Sequence, residues 1–141
     1  MASCHNTRRQ LPKAKINTVD SIKITKVIIQ CASPLIETII DINCDDFEGT
    51  FKAEMEDTTI TDSVFCNELY KRLKEIKLSK DSRTPDVRVK TIIFFSNNTT
   101  SDFCMRGNCA SCPFEYNNKA IMYNKDLVAL IWNNLPDGYN K

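Results

Sequence analysis

The chain has 141 residues, 19 Lys and Arg against 18 Asp and Glu, one histidine, three glycines and seven cysteines. That length fits one domain able to bury its own core, and the apolar and charged fractions are those of ordinary globular chains. No stretch reaches the roughly 20 apolar residues of a membrane helix, and the basic N-terminus lacks an apolar run behind it, so a soluble, intracellular protein is expected, cytoplasmic or nuclear. The scarcity of Gly beside abundant Ile, Asn and Lys is a bias of AT-rich genomes, viral ones among them.

Residues 1–19 mix polar and basic side chains with Pro12 and show no hydrophobic period, so they read as a basic arm ahead of a single domain over 20–141. The β-branched run Ser21 to Gln30 predicts a strand. After Pro34 the Ile-rich run Leu35 to Asn43 predicts a second strand, or else a short helix. Phe47, Gly49, Phe51, Ala53 and Met55 alternate with polar residues and predict a third strand with one wet face. A helix is expected from about Asp62 to Leu78, capped by Asp62 or Ser63, with Phe65, Cys66, Leu69, Tyr70, Leu73 and Ile76 inward.

Val87 to Phe95 is apolar enough for a central strand, and Asn97 to Asp102 then turns the chain. A short strand over Ala120 to Tyr123 and a helix capped by Asn124 complete the order βββα, β, cysteine loop, β, α. The fold class is α+β, with about five strands in a mixed or antiparallel sheet and two main helices.

Charge is segregated. Residues 8–26 carry six basic and one acidic side chain, residues 37–57 eight acidic and one basic, and residues 71–90 eight basic and three acidic. Arg8, Arg9, Lys13 and Lys15 on the arm, with Lys71, Arg72, Lys74 and Lys77 on the helix, form a candidate nucleic-acid surface, because clustered cations gain from counterion release. A solvated helix face balanced by the acidic block explains the same pattern without nucleic acid.

Cys104, Cys109 and Cys112 put three thiols into nine residues around Gly107, close enough for several sulfurs to meet one ion. In a reducing compartment a metal explains them better than disulfides do. Structural zinc is the first reading: Cys109 and Cys112 have a zinc-knuckle spacing, Gly107 permits a positive φ, and Cys104 adds a third thiolate. For the fourth ligand, a helix of about 24 Å followed by an antiparallel strand of about 26 Å brings Cys66 toward the loop. Cys66 also lies on the apolar helix face, where a cysteine is an ordinary core residue. Cys4 and His5 are the next candidates, and Cys31 and Cys44 read as strand packing.

The spacing C-x4-C-x2-C, with glycine three residues after the first cysteine, resembles the cluster loop of plant-type [2Fe–2S] ferredoxins over nine residues. The resemblance implies an iron–sulfur electron-transfer role with Cys104, Cys109 and Cys112 as ligands; that family's fourth cysteine lies downstream, where this chain has none. A third reading takes Cys109-Ala110-Ser111-Cys112 as a redox CxxC, against which stands the absence of a long helix behind it.

Catalytic constellations are missing from the sequence. The one histidine sits in the arm, so no Ser-His-Asp or Cys-His arrangement is expected; no deaminase motif or glycine-rich phosphate loop is present, and Asp45-Asp46 and Glu56-Asp57 read as solvated turn residues. The expected function is a non-enzymatic, zinc-stabilised binding or assembly module with a protein partner, nucleic acid being the further candidate. An iron–sulfur protein and a metal-free interaction domain are the alternatives.

Overall fold

The β-branched run opens the domain as strand β1, Ile24–Cys31, in a computed structural model that describes residues 22–137 and 139. In chain order there follow helix α1 (Phe47–Thr50), strand β2 (Glu56–Ile60), helix α2 (Ser63–Leu73), strands β3 (Val89–Phe95), β4 (Thr100–Met105), β5 (Phe114–Tyr116) and β6 (Lys119–Ile121), and helix α3 (Lys125–Trp132). The six strands form one antiparallel sheet in the order β2-β1-β3-β4-β5-β6, one strand more than the sequence suggested and of the same α+β class. The expected arm, with Arg8, Arg9, Lys13, Lys15, Cys4 and His5, lies outside the described residues.

Both main helices start where their caps were expected. The Asp62 carboxylate accepts from the Phe65 N–H at 2.9 Å, and the Asn124 amide oxygen accepts from the Leu127 N–H at 3.0 Å. Helix α2 stops short of Leu78 because β6 claims the following residues: the Ser79 N–H reaches the Ala120 carbonyl and the Met122 N–H that of Lys77.

Two predicted strands are not strands. Leu35 to Asn43 is an irregular segment, since both edges of β1 are already occupied by β2 and β3, and its backbone groups are met instead by side chains: Asp86 accepts from the Ile42 N–H at 2.8 Å and Arg88 donates to the Ile36 carbonyl at 3.1 Å. In Phe47 to Met55 the spacing of Phe47 and Phe51 is also one helical turn, and both rings point inward from α1 with centroids 5.3 Å apart. The strand begins only at Glu56.

The sheet has two covered faces. Val27, Ile29, Val89, Ile93, Phe103, Met105 and Phe114 pack under α2 and α3 with Leu69, Leu127, Val128 and Ile131. On the other face a smaller cluster of Ala32, Ile42, Cys44, Phe47, Phe51, Val87 and Cys104 holds the segment between β1 and β2. Polar contacts tie α1 down there: Lys90 donates to the Cys44 carbonyl at 3.1 Å and meets Glu48 at 3.0 Å. The hairpins turn on asparagine. Asn98, Asn117 and Asn118 have φ of 67°, 51° and 62°, whereas no glycine among the described residues has positive φ, so Gly107 does not play the part expected of it. It lies instead against Trp132, whose ring is 3.6 Å from where a Cβ would stand.

Candidate functional site

Strand alternation decides where the cysteines go. In β4, Phe103 and Met105 turn toward the helices, so Cys104 between them turns to the other face and is bonded to Cys44 in a disulfide closing 60 residues of separation. The expectation of reduced thiols fails at this pair. Cys66 sits in the first turns of α2, which packs over β1, two strands away from β4 and on the opposite face from Cys104. Burial pushes its thiol up, as does Asp62 nearby. Burial also drives Cys31 up to about 12, with Glu56 and Asp57 adding to it.

The structure therefore brings together two of the four sulfurs named from sequence, Cys109 and Cys112, and keeps Cys104 and Cys66 apart from them. Among the described residues no group of three or more His, Cys, Asp or Glu side chains is placed to hold a metal ion. The four-cysteine set does not fit a tetrahedral thiolate site, because the Cys104 sulfur is already bonded to Cys44 and Cys66 is buried where α2 packs over β1.

Cys109 and Cys112 occupy a tight turn between β4 and β5, in which the Cys109 N–H donates to the Gly107 carbonyl at 3.0 Å and the Cys112 N–H to the Cys109 carbonyl at 3.1 Å. The Cys109 sulfur lies 3.3 Å from the Ser111 hydroxyl. Hydrogen bonds from the Cys112 thiol, the Ser111 hydroxyl and the Ser111 and Cys112 backbone N–H groups lower the Cys109 thiol to about 7. Burial, and then its partner sulfur, raise Cys112 to about 11. Arg83 holds the loop by donating to the Ser111 carbonyl at 2.9 Å while it pairs with Asp81 at 2.7 Å.

The basic helix face is largely paired. Arg72 lies between Glu68 at 2.6 Å, Glu75 at 3.2 Å and Asp126 at 3.6 Å, Lys71 is 3.8 Å from Glu68, and Lys74 stands over the Tyr70 ring at 4.4 Å. Lys77, expected on the helix, is exposed four residues past its end.

A second feature was missed from sequence because its residues were assigned to a strand or a short helix. The segment 34–41 displays Leu35 (79 % exposed), Ile39 (103 %) and Ile40 (72 %) on an irregular backbone fixed from beneath. Arg88, 2 % exposed, donates to Val87 and Ile36 carbonyls and pairs with Asp86 at 2.8 Å, and its guanidinium lies over the Phe51 ring. Asp86 also pairs with Arg106. The signal available was Pro34 followed by isoleucines at 36, 39, 40 and 42, which keep neither a strand period nor a helical one throughout.

No protein-family model, curated protein or solved structure matches the chain. No helix among the described residues is long and apolar enough to cross a membrane.

Proposed function

We propose that this domain is a non-enzymatic protein-interaction module of a larger complex, meeting its partner through segment 34–41. The observation that carries this is three large aliphatic side chains standing in water on a backbone that Asp86, Arg88 and the Cys44–Cys104 bridge hold in place. Single exposed aliphatics are commonplace; three within six residues on a fixed loop form the kind of patch that marks a contact surface. Fixing the loop beforehand also lowers the ordering cost of association. Glu37 and Asp41 flank the patch, so the matching surface is an apolar groove with a basic rim.

The test is site-specific photocrosslinking in cells, with a crosslinking amino acid at Ile39 or Ile40 and, as control, at Thr59 on the β2 edge. The expected result is one protein adduct from 39 and 40, absent from 59 and lost when Leu35 is changed to Glu. Crosslinks to nucleic acid alone, or equal yields at all positions, would defeat the proposal.

A further inference from the structure

Among the described residues four cysteines are free, and they divide sharply: Cys31 and Cys66 are buried, Cys109 and Cys112 are partly exposed. A cysteine kept only for packing belongs with the first pair. Cys109 and Cys112 are instead adjacent in one turn, closed by the Cys112 N–H donating to the Cys109 carbonyl at 3.1 Å. The turn runs into β5 rather than into the long helix that usually stabilises the thiolate of a CxxC, and a local donor stands in its place: the Ser111 hydroxyl lies 3.3 Å from the Cys109 sulfur. Cys112 sits deeper, on the wall of a groove of about 330 Å³ formed with Ser79, Asp81 and Arg83. Arg83 fixes that wall through the Ser111 carbonyl.

The geometry points to a thiol–disulfide exchange pair, in which Cys109 attacks an external disulfide and Cys112 resolves the product. The Cys109 thiolate bonds to one sulfur of the incoming disulfide, whose other sulfur leaves as a thiolate and takes up a proton. The Cys112 thiol then gives up its proton and attacks the Cys109 sulfur, expelling the second thiol. The dithiol has lost two electrons, the external disulfide has gained them, and Cys109 and Cys112 are joined. The reverse sequence delivers a disulfide to a reduced partner. The division of labour follows from position: the sulfur beside the Ser111 hydroxyl attacks, and the one packed against the core at the groove wall follows. This inference is independent of the interaction surface at 34–41.

The experiment uses the full chain, reduced and then freed of reductant, and exposed to glutathione redox buffers of graded ratio and, separately, to an oxidised unfolded protein. Reactions are quenched with acid, alkylated and mapped by mass spectrometry. The expected result is a reversible Cys109–Cys112 disulfide in the wild type, a stable mixed disulfide on Cys109 in Cys112→Ser, and adduct formation at least about tenfold slower in Cys109→Ser. Trapping by glutathione identifies a small-molecule disulfide as the co-substrate, and trapping by the unfolded protein alone identifies a protein disulfide. Circular dichroism establishes that both variants are folded. Adducts appearing equally on Cys112 in Cys109→Ser, exchange confined to Cys44–Cys104, or thiols that stay unreactive until a chelator strips zinc from the purified chain would each overturn the assignment; the last would make the pair a metal clamp.

Discussion

Removing Asp86 should cost the domain more than removing the buried cation it serves. One Asp86 oxygen accepts from the Ile42 N–H and from Arg88, each at 2.8 Å, and the other meets Arg106. In Asp86→Ala the Arg88 guanidinium stays buried without its carboxylate, a loss of about 3–5 kcal/mol, and the Ile42 N–H is orphaned for about 1 kcal/mol more. Arg88→Met keeps an aliphatic stem against Phe51, removes a guanidinium Nε that has no partner among the described residues, and leaves Asp86 with Arg106 and Ile42. Its cost should be about 1–2 kcal/mol. The double variant should then be more stable than Asp86→Ala alone, because the uncompensated charge is gone.

Urea unfolding with the disulfide intact measures all three variants, with unchanged slopes as the condition for comparing midpoints. Burial raises the Asp86 carboxyl, but the Ile42 N–H, Arg88 and Arg106 outweigh it and hold the group below the usual range. Its contribution is therefore present above the unfolded value of about 4 and is lost as pH falls through the lower folded value, so Asp86→Ala should flatten the acid limb of the stability curve. Arg88→Met proving as costly as Asp86→Ala, or a double variant no better than Asp86→Ala, would refute the account.

Two other outcomes follow from the same structure. Breaking the Cys44–Cys104 bridge frees a loop of 60 residues' separation, which on chain entropy alone is worth about 4 kcal/mol; a Cys44→Ala, Cys104→Ala variant whose urea midpoint matches the oxidised wild type would contradict it. The Tyr139 hydroxyl is buried without a partner among the described residues, and burial pushes it up to about 12, so its contribution is whole below the unfolded value of about 10 and lost between there and the folded one. Tyr139→Phe should flatten the alkaline limb and leave neutral stability unchanged; a loss of more than about 1 kcal/mol at neutral pH would mean that the hydroxyl has a partner.

The elements legible in the sequence are those whose periodicity has one interpretation. Helices α2 and α3 repeat at three and four behind Asp62 and Asn124, and β1 and β3 are β-branched runs. Phe47 and Phe51 show where legibility ends: a separation of four satisfies both a strand face and a helical turn, and only the packing under Lys90 and Cys104 selects the turn. Likewise β4 lay hidden in a stretch assigned to a turn and a metal loop, and without β4 the alternation that sends Cys104 away from Phe103 and Met105 could not be applied. The nearness of Cys109 and Cys112 was plain from their spacing, whereas the pairing of Cys44 with Cys104 depends on a sheet register no local pattern encodes.

A sheet covered unequally on its two sides has a consequence for how the native state breathes. The helix-covered side is the larger cluster, and the side holding residues 32–55 rests on few aliphatics, the ion pairs that buried Arg88 and Lys90 make with Asp86 and Glu48, and one covalent tie. Amide exchange should fall into two tiers, with the slowest hydrogens on β1 and β3 and a faster, cooperative set over residues 32–55 that reductant accelerates. The lower tier carries the exposed Leu35, Ile39 and Ile40, so the redox state of its surroundings sets how often that surface is held ready.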